Sequence, residues 1–148
     1  MKKPIQKTLL GRTDIVDFPK LNLFNIDVKI DTGAYTSSFH CHHIELSNGL
    51  LKFQLLDPEH DKFLKNYFEF TDFTQKKVKS SNGIVENRFQ IKTEILIFNQ
   101  SYPIDLTLTE RGSMKFPVLL GRKFLSKKFI INTSRKNLSH KNLIININ

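Results

Sequence analysis

Apolar residues in this chain come in short runs, and turn-forming Asn, Gly, Asp or Ser stops each one before a long amphipathic helix can develop. That rhythm, repeated along a chain, favours an all-β sandwich or barrel. Ile26-Asp27-Val28-Lys29-Ile30 alternates as a half-buried strand should. Phe39 to Leu46 reads as a second strand, stopped at Asn48-Gly49, a dipeptide that favours a tight hairpin turn. Phe89 to Ile97 reads as a long strand, and Tyr102 to Thr109 follows it after a turn at Asn99-Gln100-Ser101. Phe116 to Leu120 suits a short buried strand, Gly121 to Lys128 one short helix, and Phe129-Ile130-Ile131 a strand after it. The polar stretch Asp57 to Lys62 reads as a loop, whereas Leu64 to Phe73 fits either a strand or irregular structure. The tail from Leu138 to Asn148 contains Leu143-Ile144-Ile145 and reads as an edge strand or a loose end.

Length and composition narrow the class. A chain of 148 residues suits one domain, expected to run from 1 to 148, and 13 Phe within 39% hydrophobic residues supply material for one core. No run of about 18 uncharged apolar residues exists to span a membrane. The basic start, Met1 to Lys7, is followed only by Thr8-Leu9-Leu10 before Gly11, short of the roughly 7–15 apolar residues of a secretory signal. The single cysteine, Cys41, cannot form an internal disulfide, which fits a reducing cytoplasm. The formal charge of +9 raises the question of nucleic acid, but the cations are spread out and the densest places, Lys76-Lys77, Lys127-Lys128 and Arg135-Lys136, are short. No aromatic–basic repeat and no helix-turn-helix pattern accompanies them, so the charge is assigned to solubility or acidic partners, with no nucleic-acid partner expected.

The segment richest in chemistry is Val28-Lys29-Ile30-Asp31-Thr32-Gly33-Ala34. An apolar strand delivers a carboxylate into a tight turn, and Gly33 lets the backbone approach it closely. Asp-Thr-Gly after an apolar strand is the signature of aspartic proteases, although Asp-x-Gly is also an ordinary turn. The protease chemistry needs two carboxylates sharing a proton, one acting as general base on water while the other donates a hydrogen bond to the substrate carbonyl. This chain carries one Asp-Thr-Gly. Asp14, Asp17, Asp27, Asp57, Asp61, Asp72 and Asp105 all lack a following Thr-Gly or Ser-Gly. A working enzyme of this kind would be a homodimer with Asp31 of each copy on the two-fold axis, where Thr32 could bond across the axis.

A second segment, Phe116-Pro117-Val118-Leu119-Leu120-Gly121-Arg122-Lys123-Phe124-Leu125, follows in the order retropepsins require. There an apolar pair, Gly and Arg pack behind the catalytic loop ahead of a short helix. With it, Lys29 to His40, Val78 to Thr93 and Ile104 to Asn137 resemble the bacterial and archaeal family labelled ATP-dependent zinc proteases. Leu106 to Pro117 and Leu119-Leu120-Gly121-Arg122 are the most specific parts of the match, which runs over roughly residues 9 to 138. That family is similar to retropepsins in fold despite its label, and its members are often found beside ATP-grasp ligases. The resemblance implies a closed β-barrel with one short C-terminal helix, and Asp31, Thr32 and Gly33 as the catalytic loop. Ala34, Leu119, Leu120, Gly121 and Arg122 would support that loop, and no cofactor is required. It implies cleavage of a peptide or protein by activated water. A flap hairpin would close over the substrate, with its tip at Ser80-Ser81-Asn82-Gly83 and Val85 to Ile97 as the outgoing strand, and Asn48 to Phe70 would be an insertion. Two positions depart from the family's pattern: Tyr35 stands where a small or basic residue is expected, and Asn132 where Asp is usual.

Two other readings remain open at the level of sequence. Phe39-His40-Cys41-His42-His43 is dense in metal-ligand types, with His60 and His140 elsewhere. On a strand His40 and His42 share a face while Cys41 and His43 point away, so a zinc-dependent peptidase would use His40 and His42. No His-Glu-x-x-His helix supports it. The other alternative is a barrel that binds peptide through the same loop without cutting it.

Overall fold

The computed structural model describes residues 7–79, 82–110 and 115–147. In chain order the strands are β1 (Thr8–Leu10), β2 (Thr13–Phe18), β3 (Leu23–Ile30), β4 (Ser37–Ser47), β5 (Leu50–Leu55), β6 (Phe68–Phe70), β7 (Thr74–Lys79), β8 (Val85–Ile97), β9 (Gln100–Thr109) and β10 (Val118–Leu120). The helix α1 (Arg122–Leu125), strand β11 (Phe129–Ile131) and helix α2 (Leu138–Ile147) complete the chain.

Six strands close on themselves in the order β10-β3-β2-β8-β9-β4, because β10 pairs with β3 on one side and with β4 on the other. The alternation read from the sequence places the core. In β3, Leu23, Ile26, Val28 and Ile30 are buried while Asp27 and Lys29 are exposed. Phe18, Phe39, Ile91, Ile95, Leu106, Val118 and Leu120 fill the interior from the other barrel strands. The all-β barrel expected from the sequence is therefore the observed architecture.

Turn chemistry fixes the registers. Asn48 and Gly49 both take left-handed backbone angles and pair Ser47 with Leu50, a two-residue hairpin turn. The β8–β9 turn lies one residue earlier than the sequence suggested. Phe98 and Asn99 take the left-handed angles, so Gln100 and Ser101 already belong to β9. Beyond the barrel, β5 pairs with the second half of β4, and β6 pairs with β5. Phe53 stacks on Phe68 and Phe70 at 6.0 and 5.6 Å, so residues 48–70 form an extension of β4 and not a barrel strand. Only the short segment β6 of the ambiguous stretch 64–73 is regular before β7 begins.

The tail is a correction. Residues 138–147 form α2, where an edge strand or loose end was expected, so a second helix joins the short α1. Its start is held by a distant carboxylate: Asp14, fully buried on β2, accepts hydrogen bonds from Ser139 N (3.0 Å) and His140 N (3.2 Å). An acidic group at a helix N-terminus satisfies amides that have no partner within the helix. Burial raises the Asp14 pKa above the usual carboxylate value, outweighing the backbone N–H donors of Ser139, Ile15 and His140 that pull it down. Among the described residues no helix is long and apolar enough to cross a membrane.

Candidate active site

The β3 strand ends at Ile30, and the chain turns at Asp31-Thr32-Gly33-Ala34 before entering β4 at Ser37. Asp31 folds its own turn: its Oδ1 accepts from Gly33 N at 3.1 Å, and its carbonyl from Ala34 N at 3.2 Å. The carboxylate is half-buried, while Thr32 and Gly33 are exposed at the surface. A β-carbon on Gly33 would lie 3.3 Å from Asp31 Oδ1, so the residue that frees the backbone also leaves room for the carboxylate.

The second segment is hydrogen-bonded to this loop. Strands β3 and β4 are not neighbours where the loop joins them. Strand β10 lies between them, parallel to β3 and antiparallel to β4. Leu120 O accepts from Asp31 N at 2.9 Å, Gly121 N donates to Ser37 Oγ at 3.0 Å, and Arg122 N and Lys123 N donate to Ala34 O and Tyr35 O, both at 2.9 Å. Arg122 Nη1 then donates to Thr32 O at 2.9 Å. Leu120 is a fully buried core residue, and Leu119 turns its half-buried side chain the other way. A β-carbon on Gly121 would lie 2.5 Å from Thr36 O and 2.7 Å from Tyr35 O, which is why only glycine fits there.

The two departures from the family pattern acquire places. Tyr35 is 59% exposed beside the loop, with the Arg122 guanidinium 5.9 Å from its ring centre. Asn132 Oδ1 accepts from Ser134 N (3.0 Å) and Ser134 Oγ (2.6 Å), building the turn that leaves β11.

Strands β7 and β8 form a hairpin, and among the described residues β7 pairs with β8 alone. Pairing of Lys79 with Val85 leaves 80–84 to connect them, longer than a two-residue turn. Of the flap-tip residues named above, Asn82 and Gly83 lie in this connection, and Gly83 takes a left-handed angle. Ser80 and Ser81 lie outside the described residues. Ile84 and Val85 are exposed beside the tip.

The sequence matches the RimB-like family, described as retropepsin-like aspartic endopeptidase RimB, over residues 9–142. The chain belongs to this family. Its relatives include proteins named probable alpha-L-glutamate ligase: one from Shewanella halifaxensis is 30% identical over 132 residues, covering 86% of this chain and 29% of that protein. One from Parasynechococcus marenigrum is 28% identical over 131 residues, with 86% and 28% covered. The RimB-like chain thus spans under a third of the length of these curated relatives. A Legionella pneumophila crystal structure, of a protein of unknown function, superimposes with a TM-score of 0.71 over 90% of this chain and 99% of that one. At 22% identity that likeness speaks for the fold.

The histidine-rich segment follows the Asp31 loop in the chain and lies on β4, which begins at Ser37. His40 and His42 do share a face, and their rings approach edge to face at 5.0 Å. Cys41 points away into the core, donating to Thr109 O at 3.6 Å, and burial pushes its thiol up to about 12. His43 breaks the alternation with a left-handed backbone angle at the bulge, and its Nδ1 lies 2.6 Å from Gln54 Oε1. Sequence reasoning left out Asp57. Placed on a polar loop, it returns its carboxylate to within 3.8 Å of His42 Nε2.

Proposed function

We propose that this chain is one half of a symmetric aspartic endopeptidase in which Asp31 of each copy forms the catalytic pair. The observation that carries this reading is the bracing of the Asp31 loop by β10, which fixes a carboxylate at an exposed turn with hydrogen bonds from both flanking segments. Across a two-fold axis two such carboxylates share one proton and titrate as a unit. The ionised member takes a proton from water while the protonated member polarises the scissile carbonyl. The projecting β7–β8 hairpin, with Ile84 and Val85 exposed near its tip, serves as the flap that excludes water from the bound peptide. Thr32 braces the paired loops across the axis.

The substrate class follows from the company the domain keeps. In proteins named as alpha-L-glutamate ligases a region like this one accompanies further chain, and a peptide carrying added glutamates is the product such a ligase would leave. A net charge of +9 favours an acidic chain of that kind over a basic one. The free, buried Cys41 fits a cytoplasmic setting for this chain.

Sedimentation of the purified chain, with cleavage of synthetic glutamate-rich peptides by the wild type and by Asp31→Asn, tests the proposal. A dimer whose cutting falls about a thousandfold or more with Asp31→Asn is expected. Undiminished cleavage by Asp31→Asn would sink the catalytic assignment. A stable monomer that binds these peptides but leaves them intact would favour the non-cutting module instead.

A further inference from the structure

His40 is 1% exposed, and neither ring nitrogen completes a well-formed hydrogen bond among the described residues, although the Thr109 backbone acts on the ring. Nε2 of His42 is in the same condition. A buried polar atom left unpaired costs about 1–3 kcal/mol, so three of them in one place require a compensating ligand. A third donor faces them. Asp57 Oδ1 accepts from Glu59 N at 3.1 Å, which fixes the carboxylate and turns Oδ2 toward His42 Nε2, 3.8 Å away. One ligand atom each from His40, His42 and Asp57 lies within 4.8 Å of the others.

From this geometry we infer that His40, His42 and Asp57 form a binding site for a divalent transition-metal ion such as zinc. Ligand atoms around a tetrahedral zinc sit about 3.4 Å apart, so modest side-chain rotations of about 1 Å complete the set. Two imidazoles and one carboxylate suit zinc and its first-row neighbours and do not suit calcium or magnesium, which take oxygen donors. Three protein ligands leave a fourth position for water or a substrate group. The ion would tie the barrel strand β4, at His40 and His42, to the loop that follows β5, at Asp57. It stands independently of the Asp31 assignment, since no residue is common to the two sites.

The test uses the purified full chain stripped of metal and titrated with Zn2+ against a chromophoric chelator. One ion per chain is expected, with a raised Tm. Asp57→Asn and His42→Gln should each weaken binding at least about tenfold, while His140→Gln leaves it unchanged. Both positions are partly exposed, so neither variant opens a hole in the core. As a check that needs no variant, X-ray absorption of the zinc-loaded wild type should show two imidazoles in the first shell. Failure of the wild type to take up zinc, equal affinity in both variants, or a shell without imidazole would each overturn the site.

Discussion

Gly121→Ala isolates the contact that holds the Asp31 loop in place. The backbone at Gly121 has φ −97° and ψ 178°, an extended conformation any residue adopts, so alanine brings no backbone strain. In open space it would be neutral or stabilise by about 0.4–1 kcal/mol through the unfolded chain. Here the added carbon would meet Thr36 O at 2.5 Å, about 0.9 Å short of the 3.4 Å where ordinary contact begins. The obstacle is backbone and cannot rotate aside. If β10 withdraws, the bonds from Gly121 N, Arg122 N and Lys123 N to Ser37, Ala34 and Tyr35 are lost, each worth about 1 kcal/mol net. If it stays, overpacking costs about 1–3 kcal/mol. The loss therefore comes to between about 1 and 3 kcal/mol, or a fall in Tm of about 2–12 °C for a chain of this size, with the upper end expected if β10 withdraws. Urea and thermal unfolding followed by circular dichroism measure it. A variant as stable as the wild type would refute the claim that close approach of β10 secures the loop.

Gly33→Ala should behave differently. Its β-carbon would meet only Asp31 Oδ1, at 3.3 Å, so stability should change by under about 1 kcal/mol while displacement of the carboxylate lowers kcat about tenfold; equal kcat in the two proteins would count against Asp31 as the reacting group. Asp14→Asn tests the cap of α2. The folded state holds the Asp14 proton more tightly than the unfolded chain, so this group's contribution to stability is greatest below pH 3.8 and is lost as pH rises through the raised folded value. In urea unfolding at stepped pH, the wild type should lose stability relative to Asp14→Asn across that window. Parallel pH curves for the two proteins would contradict it.

What the sequence disclosed and what it hid divide along a physical line. Features set by neighbours in the chain were legible: the alternation that buries Ile26, Val28 and Ile30, the paired left-handed residues at Asn48-Gly49, and the shared face of His40 and His42. The order of the two loop segments was legible too, because Asp31 and Gly121 carry requirements that few other residues meet. Features set by distant partners were not. Leu143-Ile144-Ile145 reads as strand by its own preference, yet the segment is helical and its first amides are satisfied by Asp14, some 125 positions earlier. Asp57 looked like loop polarity because nothing in its own segment points to His42. The β8–β9 turn slipped by one residue because Phe98, an unusual choice for a left-handed position, shares it with Asn99.

The insertion of β10 between β3 and β4 bears on the order in which the chain matures. Thr32 leaves a ribosome 90 positions ahead of Arg122, whose guanidinium secures its carbonyl. During synthesis β3 and β4 therefore emerge with a vacant slot between them and the acidic turn unsupported. Contacts of such long sequence separation form late and slowly. A nascent or prematurely terminated product ending before β10 would carry Asp31 but not the hydrogen bonds that hold its loop, so the ordered loop would arrive together with the completed barrel.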